Sequence, residues 1–178
     1  MHQARHVRRE AGFTLIEILV VVVIIAVMTT VAVLSVGVLG KDRGLDDEGD
    51  RYTDVVAAAT EQAGLEGRDY GIWFGPDRYE VMAYVQRRQR WETVPDDRLY
   101  DVHELPTGLA PHLEIEGRQI LLVPERPDTP SVPQVMIYAG GDSSSYRLQL
   151  TREGSDAAFV VEGHADGTLS VTRPGATT

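Results

Sequence analysis

The chain has 178 residues, 43% of them hydrophobic, a net charge of −10 and no cysteine. That length supports one modest core. The missing cysteines remove disulfides, thiolate nucleophiles and cysteine-based zinc or iron–sulfur sites, and an acidic body repels phosphate backbones, which argues against a nucleic-acid partner.

The first twelve residues carry Arg5, Arg8 and Arg9 against Glu10, a local charge of +2 that leaves −12 for the rest. An apolar run then opens at Phe13 and extends to Gly40, interrupted only by Glu17. From Ile18 to Gly40 there are 23 residues without a charge. As a helix they span about 35 Å, enough for a hydrocarbon core of about 30 Å. The basic side precedes the run, and Lys41-Asp42-Arg43 with further acids follows. Positive-inside logic therefore predicts a cytoplasmic N-terminus and an acidic body across the membrane. A cleavable secretory signal has a shorter apolar core and a small-residue cleavage site; neither fits here. A plain anchor explains the length but not Glu17, because a charge at that depth costs about 2.5–3.5 kcal/mol on insertion scales and is by default functional.

The stretch Gly12-Phe13-Thr14-Leu15-Ile16-Glu17 resembles the class III signal of type IV pilins and type II secretion pseudopilins: a short basic leader ending in glycine, then Phe-Thr-Leu-Ile-Glu and an apolar helix. The resemblance implies that a prepilin peptidase cuts between Gly12 and Phe13 and methylates the Phe13 amine. It also implies that Glu17 is the carboxylate that docks a subunit into its filament. The physics is consistent: a neighbour's carboxylate can neutralise the new amine inside a low-dielectric core, and a paired buried charge costs far less than a lone one. Such a pair sets stagger between subunits. The implied segments are a leader at 1–12, a transmembrane and filament-core helix at 13–40, an acidic bend with the periplasmic half of the helix at 41–66, and a β-rich periplasmic head at 67–174.

Asp42 to Asp50 reads as a bend or fraying point with Gly44 and Gly49. Its acids Asp42, Asp46, Asp47, Glu48 and Asp50 lack the alternation of an EF-hand loop and read as a solvated face. From Asp50 to Ala63 the periodicity is helical. Tyr52, Val55, Val56, Ala59 and Ala63 make one apolar stripe, with Gly64 as the expected stop. Beyond Gly67 the period changes to two. Strands are predicted at 70–74, 79–86, 90–94, 113–116, 119–123, 135–139, 146–151, 158–162 and 169–172. Turns are predicted at Gly75-Pro76-Asp77, Glu116-Gly117, Gly140-Gly141-Asp142, Glu153-Gly154 and Asp166-Gly167. Pro95–Pro111 and the proline-rich Pro124–Pro133 read as the two long connections, and no internal repeat is present. The expected fold is α+β: a long N-terminal helix whose C-terminal half is covered by two antiparallel sheets.

This layout is similar to the minor pseudopilins of the GspH type, in the aromatic strands Tyr70–Phe74 and Tyr79–Val81 and the late strand from Pro133. Many major pilins carry a proline where this chain has Leu34, and the C-terminal cysteine pair of type IV pilins is absent. The function implied is a non-enzymatic minor pseudopilin of a type II secretion system, in the bacterial inner membrane, near the pseudopilus tip. Its partners would be the other minor pseudopilins, the major pseudopilin and the prepilin peptidase. A minor pilin of a type IV pilus and a single-pass anchored binding protein are the alternatives.

Other chemistry is thinly supported. Gly141-Asp142-Ser143-Ser144-Ser145 lacks a second glycine for an oxyanion hole, and His103, His112 and His164 are paired with no serine by spacing. His103-Glu104 and His112-Leu113-Glu114 do not make H-E-x-x-H, and no phosphate-binding glycine motif appears. No cofactor and no metal site are expected. Arg87, Arg88 and Arg90 beside Trp91 read as an exposed turn or a partner contact, and Tyr70, Trp73, Phe74 and Tyr79 as core.

Overall fold

The computed structural model describes residues 15–94, 101–124 and 132–174, without the side chains of 31–42. The expected leader, with Gly12 and Phe13, lies outside the described residues, as do 95–100 and 125–131 of the two long connections. The chain divides into two compact units, Met1–Gly40 and Lys41–Thr178. One helix, α1 (Leu15–Glu66), contributes to both.

In the first unit every residue from Leu15 to Thr30 is exposed, although nearly all are apolar. Even the two threonines hide their hydroxyls: Thr29 Oγ1 donates to the Ile25 carbonyl at 2.7 Å and Thr30 Oγ1 to Ala26 at 2.8 Å. No helix among the described residues is long and apolar enough to cross a membrane. The uncharged run of the sequence continues through residues 31–40, whose side chains are not described.

The second unit holds the core. In chain order its strands are β1 (Tyr70–Phe74), β2 (Arg78–Val85), β3 (Arg90–Thr93), β4 (His103–Glu104), β5 (Leu109–Ile115), β6 (Arg118–Ile120), β7 (Val135–Ile137), β8 (Tyr146–Arg152), β9 (Ala158–Gly163) and β10 (Leu169–Thr172). One sheet runs β3-β2-β1-β7 with β4 added to β2; the other runs β10-β9-β8-β5-β6. All pairings are antiparallel. The expected helical stripe of Tyr52, Val55, Val56, Ala59 and Ala63 is fully covered, and it joins Ile72, Phe74 and Tyr79 of the first sheet and Leu113, Leu148 and Phe159 of the second in one cluster. Burying each Val, Ile, Leu or Phe side chain of that cluster contributes about 1.5–3 kcal/mol. Tyr52, Phe74 and Tyr79 form a triangle with centroids 5.6–5.9 Å apart.

Four expectations change. The helix does not fray between 43 and 50. Gly49 is there for close approach: a Cβ on it would lie 2.3–2.4 Å from ring carbons of Phe159, so β9 crosses the helix where the side chain is missing. The helix stops at Gly67, not Gly64: Gly67 takes φ 62 and donates to the Ala63 carbonyl at 3.0 Å, the left-handed cap that glycine allows without steric cost. The Pro95–Pro111 connection contains β4 and the start of β5. Pro111 sits in β5 at a level that β6 does not reach, since β6 pairs only with Leu113–Ile115, so its missing N–H breaks no ladder there. Finally, Glu48 does not belong to a solvated face; it is 5% exposed.

Candidate functional site

Of the three residues that the sequence singles out, only Glu17 is among those described. It stands in the first turn of α1 as far as that helix is described. Its neighbours Leu15, Ile16, Ile18 and Leu19 are all more than half exposed. The surface is thus apolar around its whole circumference and carries one carboxylate near its start. A helix apolar all round requires a surrounding apolar medium, either lipid or other helices. In either medium a carboxylate is stable only beside a cationic group or a hydrogen-bond donor.

Among its described residues the second unit offers no catalytic arrangement. Ser143 Oγ donates to the backbone carbonyl of His164 at 2.8 Å, within a loop closed by Tyr138 N–H to Asp142 and Gly141 N–H to Tyr138, both at 2.9 Å. The imidazoles have separate partners: His164 Nε2 lies 2.9 Å from Ser170 Oγ, His112 Nε2 lies 3.2 Å from Thr151 Oγ1, and His103 Nε2 lies 2.9 Å from Glu48. No cluster of three or more His, Asp or Glu suited to a metal occurs among the described residues. The turn expected at Gly140-Gly141-Asp142 is present.

The Glu48–His103 pair was not foreseen. A carboxylate only accepts, so Nε2 carries the proton. The His103 ring packs against Tyr79 with centroids 5.0 Å apart and planes tilted by 52°, and the pair ties the two-residue β4 to the helix. Burial, and behind it the Glu48 charge, push the Tyr79 hydroxyl well above its ordinary value. Burial likewise raises Tyr146 to about 12 and lifts Tyr52. One signal was available: Glu48 is four residues before Tyr52 and so continues the buried stripe. At the other end of the stripe, Tyr70 Oη donates to Glu66 at 2.9 Å and receives a bond from Arg68, also at 2.9 Å. Bonds from Gln62 and Tyr70, with the nearby Arg68 guanidinium, hold the Glu66 carboxyl below its usual range.

An exposed apolar helix joined in sequence to a β-rich head with structural histidines and no described catalytic or metal constellation is the plan of a filament subunit, and the comparisons agree. Residues 7–33 match the prokaryotic N-terminal methylation motif. The type II secretion system protein H of Pseudomonas aeruginosa is 34% identical over 154 residues, covering 84% of this chain and 87% of that protein. The chain belongs to the type II secretion system protein H family. The protein H of Aeromonas hydrophila is 27% identical over 89% of this chain and 90% of its own length. In fold, the chain is similar to the minor pseudopilin EpsH of Vibrio cholerae (TM-score 0.64, 19% identity, 77% of this chain and 99% of that one) and to GspH of Escherichia coli (TM-score 0.59, 20% identity, 77% and 93%). This protein H homologue is therefore a minor pseudopilin of type II secretion, a structural subunit and not an enzyme.

Proposed function

We propose that the chain is made as a prepilin, cut after Gly12, N-methylated on Phe13 and held in the inner membrane by residues 13–40. The N-terminus faces the cytoplasm and the head faces the periplasm. From there it enters the pseudopilus near its tip, beside the other minor pseudopilins and the major one, with Glu17 accepting a neighbour's N-terminal amine. The carrying observation is the helix surface from Leu15 to Thr30, exposed throughout and apolar except for Glu17. Lipid covers that surface before assembly, and the helices of neighbouring subunits cover it afterwards. The N-terminal methylation motif over residues 7–33 supports the processing step.

The test uses the full chain coproduced with prepilin peptidase and the other pseudopilins. Intact mass should show loss of residues 1–12 and one added methyl, and Gly12→Ala should slow the cut markedly. Glu17→Ala should insert and be processed normally, because losing a charge eases insertion. It should leave a neighbour's amine buried and unpaired in the filament, a loss of about 3–5 kcal/mol read as failed co-purification. An unchanged full-length mass with active peptidase would overturn the processing step, and co-purification of Glu17→Ala at the wild-type level would overturn the docking role.

A further inference from the structure

Outside the first twelve residues, Gln86–Glu92 carries the densest positive charge of the chain, three arginines against one glutamate on a molecule of net charge −10. The segment is the turn between β2 and β3. It is closed by Arg88 N–H to the Val85 carbonyl at 2.9 Å and Gln89 N–H to Gln86 at 3.4 Å, with Gln89 at φ 49. Arg88 Nη1 donates to both Glu92 oxygens at 2.8 and 3.0 Å, and Arg90 Nε donates to one of them at 2.6 Å. One nitrogen of each guanidinium is used and the other donors remain; the two side chains are 61% and 52% exposed. Glu92 thereby holds both arginines in place, which lowers the entropy lost when they bind something else. Arg87 is exposed, without an ion-pair or hydrogen-bond partner among the described residues.

Tyr84 and Trp91 stand directly opposite each other in the same hairpin, ring centroids 5.3 Å apart and nearly edge to face. Both are half-buried, and neither belongs to the core cluster. Strand alternation puts them on the sheet face opposite Glu92, so the hairpin end carries aromatic rings on one side and guanidiniums on the other. Tyr, Trp and Arg are the residue types in which binding hot spots are richest.

We propose that the end of the β2–β3 hairpin is a docking surface for a carboxylate-bearing face of a neighbouring pseudopilin, gripped by Arg87, Arg88 and Arg90 and straddled by the Tyr84–Trp91 pair. The proposal rests on the reading of the chain as a pseudopilus subunit. Three guanidiniums match a few carboxylates, each able to take a bidentate pair. They are too few to hold a polyanion against a body of charge −10. At physiological salt a charge is felt over about 8 Å, so the tip attracts what touches it while the acidic body stays screened.

The full chain is coproduced with prepilin peptidase and the other pseudopilins of its own secretion system, then purified from detergent at low and high salt. Combined Arg87→Glu, Arg88→Glu and Arg90→Glu should cut co-purification roughly tenfold with processing unchanged, and the three Arg→Lys changes should retain most of it. A second arm leaves the hairpin nearly native. The chain has a single lysine, Lys41, so in Arg87→Lys a carbodiimide can join the new amine to a touching carboxylate, forming an amide with loss of water. A cross-linked peptide from position 87 to an Asp or Glu of another pseudopilin is expected, and this arm decides the matter if the triple reversal fails to fold. Wild-type co-purification of the reversed chain, or no cross-link from position 87, would overturn the proposal. Should the wild type itself co-purify with no pseudopilin, the subunit reading falls and takes this surface with it.

Discussion

Two stretches of α1, Leu15–Thr30 and Leu45–Ala63, are both rich in apolar residues, but they meet opposite fates. The first is apolar on all sides and exposed throughout; the second is apolar along one stripe, which the two sheets cover. A stripe can be satisfied by the chain's own sheets, because they need to approach from one side only. A helix apolar all round cannot be enclosed by one modest head, so its cover must come from outside the chain. The second stretch therefore decides whether the head folds, and the first calls for cover from outside the chain.

The sharpest way to break that contrast is to truncate one residue in each stretch. Tyr52→Ala removes a fully buried ring from the triangle with Phe74 and Tyr79 and should cost the 41–178 unit about 3–5 kcal/mol in denaturant unfolding. Ile24→Ala should change that unit's stability by less than about 0.5 kcal/mol; a comparable loss from both would mean that the first stretch packs on the head after all.

The polar end of the stripe gives a smaller effect. Glu48→Ala strands the His103 N–H and should cost about 1.5–3 kcal/mol, the range for a hydrogen bond to a charged group. The first region to lose amide-exchange protection should be β4, since the pair at 2.9 Å ties it to the helix. Unchanged protection at His103 and Glu104 would show that pairing with β2 suffices.

Alkaline pH gives the most gradual effect. The hydroxyls of Tyr52, Tyr79 and Tyr146 are all raised by burial, Tyr146 to about 12. The folded state then keeps protons that the unfolded chain releases from about pH 10. Their contribution is whole below that pH and is lost as pH rises toward 12, at up to about 1.4 kcal/mol per pH unit for each group. Melting temperature measured alongside tyrosinate absorbance should fall over that window, with these three ionising only as the head unfolds. Early titration of all seven tyrosines with the fold intact would contradict the burial. The first stretch contains no tyrosine, which keeps the two regions separable.

Much of this protein was legible in its sequence because the relevant signals are local. A 3.6-residue stripe from Tyr52 to Ala63, a period of two after Gly67 and turn residues at hairpin spacing each depend on near neighbours, and the expected strands match those observed to within a few residues, β5 and β6 excepted. Gly12, Phe13 and Glu17 stood out for the same reason: a motif beside a charge step is a property of a few consecutive residues. Contacts across the chain were not legible. Glu48 and His103 are separated by 55 positions, and β4 is too short to show any period. Gly49 looked like a bend because a missing side chain reads the same whether it loosens a helix or admits the ring of Phe159. Nor did spacing say that β7 would cross to join β1 while β8 paired with β5. Those outcomes turn on which distant surfaces fill the same space at crystal-like packing density, a condition that only the assembled tertiary structure imposes.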